Sequence, residues 1–287
     1  MAVNQIDKAE RFRALHLVEG TFLMPNAWDA GSARMLAAAP FSALGTTSAG
    51  IAFSMGVPDG QNRVSRDAMI ERIHAIAGAT DLPVSADLEA GYGETPEAVA
   101  ATVRASIQAG AVGGNIEDDT GDPGLLLYET NLAAARIHAA REAADATGVP
   151  YVLTARTDCY LVSHPNAFAE AVARANLYRE AGADCLFVPG VRDADTIAAL
   201  VREIQGPLNV VMGLTGSALS VKELETLGVR RISIGGSLAR ATFGLIRRAV
   251  REMAEKGSFS FADQQIPNGE LCAFFASWET IDRNERR

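Results

Sequence analysis

Eight short apolar runs, interleaved with Ala-rich stretches of helical spacing, constrain this chain more than any other feature. The runs are Phe22 to Pro25, Ala43 to Thr47, Val84 to Asp87, Gly113 to Glu117, Val152 to Arg156, Cys185 to Pro189, Asn209 to Gly213 and Arg231 to Gly235. Helix-periodic segments between or after them include Pro96 to Ala109, Asn131 to Thr147, Ala167 to Ala181, Asp193 to Glu203, Val221 to Leu227 and Leu238 to Glu255. Alternating strand and helix predicts parallel strands joined by right-handed crossovers. Eight such units in about 250 residues predict an α/β fold, a (β/α)₈ TIM barrel. The barrel spans about residues 20–255 of one domain covering 1–287, preceded by an amphipathic helix near residues 4–18 with Phe12 and Leu15 on one side, and followed by a C-terminal extension from 256 to 287. The Ala-Gly-Ala turns at 109–111 and 181–183 and the Leu-Gly-Val turn at 227–229 are the helix-to-strand joints that such a barrel needs. An open, doubly wound sheet is the alternative architecture.

Composition narrows the function. The chain has 287 residues, a net charge of -9 and a pI near 5.0, a balance that disfavours nucleic acid and anionic membranes as partners. Cys159, Cys185 and Cys272 are odd in number and widely spaced, which predicts neither a disulfide framework nor a zinc site and fits a cytoplasmic setting. No signal peptide or membrane-spanning run is expected.

In a barrel, chemistry gathers where the strands end, so the polar residues there should converge on one mouth. They are Asn26 and Asp29, Thr47 and Ser48, Asp87 and Glu89, Glu117 with Asp118 and Asp119, and Arg156 with Asp158; the last three strand ends, at Pro189-Gly190, Gly213-Leu214-Thr215-Gly216 and Gly235-Gly236-Ser237, are nearly bare. Asp87 and Glu89, two apart on a strand, are expected to share a face. With Glu117 they form a set for a hard divalent cation, Mg²⁺ or Mn²⁺, while Arg156 forks onto a substrate carboxylate. A cation beside a 2-oxo acid stabilises an enolate as it forms. The plainer reading is a structural ion-pair cluster of Arg156 with Glu117. His16, His74 and His138 fall on helices away from the mouth; His164 and Cys159 follow the fifth strand and read as a loop histidine and a small buried hydrophobe. Gly213, Gly216, Gly235 and Gly236 serve tight turns, or else cradle a phosphate on backbone amides.

Together these segments resemble the isocitrate lyase and phosphoenolpyruvate mutase superfamily. Asp87-Leu88-Glu89-Ala90-Gly91-Tyr92-Gly93 resembles its DxDxGYG segment with Glu89 in place of the second aspartate, Ile116-Glu117-Asp118 its IED strand end, Thr154-Ala155-Arg156-Thr157-Asp158 its ARTD segment, and Gly56-Val57-Pro58-Asp59 its GxxD turn. The resemblance implies Asp87 as direct metal ligand, Glu89 and Glu117 as ligands directly or through water, and Arg156 as the grip on the substrate carboxylate. It implies Asp59 as the residue orienting the metal's surroundings, and Thr47, Ser48 and Ala49 as hydroxyl and amide donors to substrate. It also implies a homotetramer with the last helix, which carries Phe274, Phe275 and Trp278, exchanged between subunits.

Departures from the family bear on the reaction. Where the isocitrate and methylisocitrate lyases carry a KKCGH-type loop, this chain has Asp118-Asp119-Thr120-Gly121-Asp122-Pro123-Gly124, without cysteine, lysine or histidine. The expectation is a Mg²⁺-dependent lyase acting on a small 2-oxo or 2-hydroxy carboxylic acid through an enolate, with C–C cleavage preferred because cations suited to a phosphoryl group are missing from that loop. The alternatives are a P–C bond mutase or hydrolase and a non-catalytic binder of 2-oxo acids.

Overall fold

Strands form where the apolar runs are bounded by glycine or proline, and every second residue of those runs turns to the helices. In the computed structural model, which describes residues 4–60, 63–216 and 219–285, the chain opens with α1 (Gln5–Leu17), β1 (Phe22–Met24), β2 (Asn26–Ala27), α2 (Ala30–Ala37), β3 (Leu44–Thr46), α3 (Ser48–Ser54), α4 (Arg66–Ala77) and β4 (Val84–Asp87). It continues through α5 (Pro96–Gln108), β5 (Gly113–Glu117), β6 (Asp119–Asp122), β7 (Leu125–Leu127), α6 (Thr130–Asp145), β8 (Val152–Arg156), α7 (Ala167–Glu180) and β9 (Cys185–Phe187). The last elements are α8 (Ala194–Glu203), β10 (Leu208–Val211), α9 (Val221–Thr226), β11 (Arg231–Ser233), α10 (Ser237–Lys256), a short 3₁₀ turn (Ser260–Gln264) and α11 (Asn268–Glu285).

The main sheet is parallel, in the order β1-β11-β10-β9-β8-β5-β4-β3-β2. Its two ends are halves of one strand, interrupted at Pro25, so the sheet returns on itself as a (β/α)₈ barrel and the open-sheet alternative is overturned. Asn26 joins the seam. Its Nδ2 donates to Thr46 O at 2.6 Å, and its Oδ1 accepts from the amides of Ile234 at 3.0 Å and Gly235 at 2.9 Å.

Outward residues Val84, Ala86, Ile116, Leu153, Leu186, Val210 and Ile232 are buried against helix residues such as Ile73, Val103, Ile137 and Leu200 in one continuous core. Each such aliphatic side chain contributes about 1.5–3 kcal/mol on burial. The alternate positions Ser85, Asp87, Asn115, Arg156, Asn209, Arg231 and Ser233 line the barrel interior beside Met24, Phe187 and Val211. α1 closes the N-terminal end: Ala9 and Phe12 pack with Met24, Ala43, Val112 and Val152 at the strand starts. Gly113 is glycine because a Cβ there would lie 2.6 Å from the Phe12 ring.

One feature differs from the sequence expectation. The run after Glu117 is not a loop but the antiparallel hairpin β6–β7, and the Gly-Asp-Pro-Gly turn at 121–124 is the signal that marks it. α11 lies beside its own barrel, with Phe275 close to Gly31 and Trp278 at 6.0 Å from the Arg34 guanidinium.

Candidate active site

Parallel register sets the carboxylates side by side. Asp87 pairs in register with Asn115 and Glu117 with Arg156, across three adjacent strands at their C-terminal ends. Asp87 is held from three sides: its Oδ2 accepts from the amide and the hydroxyl of Ser48, both at 2.9 Å, and its Oδ1 accepts from Asn115 Nδ2 at 3.0 Å. Asp87, Asp59, Thr47, Ser48, Ala49 and Arg156 share one cavity of about 210 Å³ at the barrel mouth.

Glu89 departs from its expected place. β4 stops at Asp87, and Glu89 takes a left-handed backbone at φ 48°, so strand alternation no longer governs its direction. Its carboxylate accepts from Tyr92 OH at 2.9 Å and lines a neighbouring cavity beneath the β6–β7 hairpin, together with Glu117. The two cavities meet at the Glu117–Arg156 pair, whose closest atoms are 2.6 Å apart. Tyr92 is likewise left-handed at φ 57°, and Gly91 at φ 81° lies where a Cβ would meet Val99 at 2.8 Å. This strained turn is anchored by Arg136, a buried residue of α6 that donates to Glu94 O at 2.9 Å and to Ala90 O.

Arg156 is less free than a bare substrate grip. Asp158 takes its Nε at 2.6 Å and Nη2 at 2.8 Å, and Glu117 takes Nη1. Of the five guanidinium N–H groups two remain for a ligand. Arg156 is thus a member of an ion-pair cluster, and it lines the mouth. Ser48 is a holder of Asp87 before it is a donor to substrate, and Thr47 caps α3 by accepting from the Gly50 amide at 3.2 Å.

Other strand-end residues turn away. Asp118 is buried and accepts from Tyr178 OH at 2.7 Å, from Arg174 at 3.3 Å and from the Asp158 amide at 2.9 Å, so it ties strands to helices. Asp119 caps its own hairpin through the Gly121 amide at 2.8 Å, and Asp29 caps α2. Cys159 is buried, with its thiol pushed up to about 11 by that burial, which suits an inert packing residue. His164 stays in its loop, accepting from the Asn166 amide. The amide of Gly235 is already engaged by Asn26, which removes one donor from the glycine cradle considered for a phosphate.

The electrostatics test the fit of a divalent cation. One guanidinium, Arg156, lies among the carboxyl groups of Asp59, Asp87, Glu89, Glu117 and Asp158. Burial first, and then the Asp87 charge, raises Asp59 above the usual carboxylate range and raises Glu89 to about 7. Burial also lifts Glu117 despite the pull of Arg156. These carboxyls resist carrying their full negative charge together, and a divalent ion beside them would favour the ionised forms. Among the described residues no three His, Cys, Asp or Glu side chains converge as a ready cage. That suits Mg²⁺, which keeps several waters and binds through one or two carboxylates.

Known proteins share this fold. The family model for phosphoenolpyruvate phosphomutase matches residues 12–254. A solved chain from Burkholderia cenocepacia J2315, named only to the level of lyase/mutase, is 49% identical with a TM-score of 0.91, and the match covers 95% of this chain and 96% of that one. The 2-methylisocitrate lyase of Halalkalibacterium halodurans is 30% identical over 211 residues, 71% of this chain and 67% of the relative. A crystal structure of 2,3-dimethylmalate lyase is 26% identical with a TM-score of 0.86, covering 97% of this chain and 98% of its own.

Proposed function

This chain belongs to the phosphoenolpyruvate mutase and isocitrate lyase superfamily, a group of lyases and mutases acting on small carboxylic acids, and from that premise we propose a Mg²⁺-dependent C–C lyase for a small 2-oxo or 2-hydroxy acid. The observation that carries the reading is the crowding of carboxyl groups around Asp87 beside Arg156 at the barrel mouth. Members of the superfamily generally depend on a divalent metal. Asp87 would hold it directly, with Glu89, Glu117 and Asp59 acting from around it, directly or through water. When bound, the ion supplies a Lewis acid for negative charge developing on the substrate oxygen.

The chain's own residues do the rest. Ser48 and Asn115 fix the Asp87 rotamer, Asp158 fixes the plane of the Arg156 guanidinium, and the two remaining N–H groups of Arg156 meet the substrate carboxylate. Between Asp119 and Leu127 the hairpin over the acidic side carries no cation, which favours C–C over P–C cleavage. The names of the two lyases among the relatives point the same way.

The test is thermal stability with oxalate, a mimic of the pyruvate enolate, with and without Mg²⁺. A rise in melting temperature that needs both components is the expected result. No rise with the pair, but a shift with inorganic phosphate alone, would move the ligand to the glycine turns and overturn the reading.

We also propose a cytoplasmic homotetramer in which the C-terminal helix is exchanged. Support comes from α10, where Phe243, Ile246 and Val250, at i, i+3 and i+7, are 41–55% exposed on one side of the helix, an apolar face suited to a second copy. Sedimentation of the full chain checks it, and a monomer at micromolar concentration counts against it. No described helix is long and apolar enough to cross a membrane.

A further inference from the structure

The turn after β4 is held from behind by two helix residues that line neither mouth cavity. Glu89, Gly91 and Tyr92 all take left-handed backbones, two of them without the freedom of glycine. Such a turn persists only where its surroundings over-determine it. Three carbonyls of the segment 90–94 are fixed by helices: Thr102 Oγ1 on α5 donates to Gly91 O at 2.8 Å, and Arg136 on α6 donates to Glu94 O and to Ala90 O. One planar guanidinium thus grips both ends of the segment.

Arg136 is itself fixed from the hairpin side. It is 1% exposed, and its guanidinium lies 3.8 Å from the centre of the Tyr128 ring. Tyr128 follows β7 directly, with its amide donating to the Asp118 carbonyl at 2.9 Å and its carbonyl accepting from Arg174 at 2.9 Å. Among the described residues both hydrogen bonds of Arg136 go to neutral carbonyl oxygens. Burying a cation against neutral oxygens costs free energy that an apolar side chain of similar volume would avoid. What the guanidinium supplies is geometry, and that geometry has a destination. The clamped turn brings the Glu89 carboxylate to Tyr92 OH and into the cavity that Glu117 also lines, while the Glu117 amide donates to the Glu89 carbonyl at 3.1 Å. Arg136, Glu117 and Arg156 border one void of about 10 Å³, which sets the clamp one layer behind the acidic strand ends.

We propose that Arg136 is a positioning residue for the metal site: through the carbonyls of Ala90 and Glu94 it fixes where the Glu89 carboxylate stands relative to Asp87 and Glu117. This rests on the reading of those carboxylates as the holders of Mg²⁺. Arg136 touches none of them by hydrogen bond, so its effect passes through the backbone of the turn.

The experiment is calorimetric titration of Mg²⁺ into the full chain as wild type, R136M, R136K, E89Q, E89Q/R136M and E89Q/R136K, with a thermal scan of each. The expected result is a loss of about tenfold or more in Mg²⁺ affinity in R136M. Most of that loss should vanish when R136M is introduced into E89Q, because two changes acting through one carboxylate do not add. R136K keeps the charge but not the fork and should remain weakened. A lower melting temperature with unchanged Mg²⁺ affinity would make Arg136 merely structural and overturn the proposal. So would a loss of affinity that persists in full in E89Q, or full affinity in R136K. If R136M does not fold, R136K and E89Q/R136K are judged in its place by the same criteria. Wild-type protein that binds no Mg²⁺ would remove the metal reading and this proposal together, an outcome distinct from wild-type binding that R136M leaves unchanged.

Discussion

At the mouth of the barrel one guanidinium, Arg156, lies among five carboxyl groups, whereas at the floor Arg231, 2% exposed, has no carboxylate beside it among the described residues. The floor satisfies its cation with neutral dipoles. Arg231 donates to Asn209 Oδ1 at 2.9 Å, Thr154 Oγ1 at 3.0 Å and His16 Nε2 at 3.2 Å. Because Nε2 accepts, the His16 proton sits on Nδ1 and points to the Phe12 carbonyl 2.9 Å away. Burial and then the Arg231 charge hold that imidazole neutral, with its pKa lowered to about 3. An excess charge enclosed by fixed dipoles is structural, while one left open to a cavity is a place for a mobile counter-ion. The two ends should accordingly respond to pH in opposite directions.

The sharpest way to break this contrast is Asp87→Asn. Removing the central carboxylate should lower Mg²⁺-dependent turnover by about 10²-fold or more, with the melting temperature unchanged or higher because repulsion is relieved. Steady-state kinetics beside a thermal scan checks both halves, and unchanged turnover would remove Asp87 from the site.

His16 provides the next largest effect. The folded state refuses a proton that the unfolded chain accepts, so this contribution to stability is complete above the usual histidine range and is lost as pH falls through it. The loss should approach about 1.4 kcal/mol per pH unit below pH ~6. Urea unfolding at pH 7.5 and pH 5.5 measures it, and His16→Gln should flatten the difference.

Glu89 behaves in the reverse sense. Its folded pKa is raised to about 7, so without metal the folded state keeps a proton that the unfolded chain has released, and stability falls as pH rises from the usual carboxylate range to about 7. Mg²⁺ should therefore stabilise more at pH 8 than at pH 5.5, visible as a larger shift in melting temperature. The smallest expected effect is that of Ser48→Ala, which leaves the amide contact to Asp87 but removes the hydroxyl. A loss of about tenfold in Mg²⁺ affinity, read by titration, identifies Ser48 as a positioning residue.

All eight barrel strands were legible because buried parallel strands read as apolar runs. Asp87, Glu117 and Arg156 were legible for a related reason, since a barrel gives the residue at a strand end a fixed destination. Glu89 was misdirected because its backbone leaves the strand one residue too early for alternation to apply. Asn115 and Ser48 gained their roles from contacts across strands, which no local pattern reports. Arg136 on its helix gives no signal in sequence, and Asp118, expected at the mouth, is instead turned into the protein; only tertiary packing shows both buried. The charge balance of the floor was hidden in the same way, as His16 and Arg231 lie 215 residues apart.

The split first strand has a consequence for the order of events during synthesis. Asn26 bonds to the amide of Ile234, 208 residues further on, so the ring cannot close until almost the whole barrel sequence has left the ribosome. β2 through β8, which carry the acidic side of the mouth, find their neighbours much earlier. The nascent chain therefore passes through an arc with an open edge at β8 and then at β9 and β10, the state in which pairing with another chain competes most directly with closure.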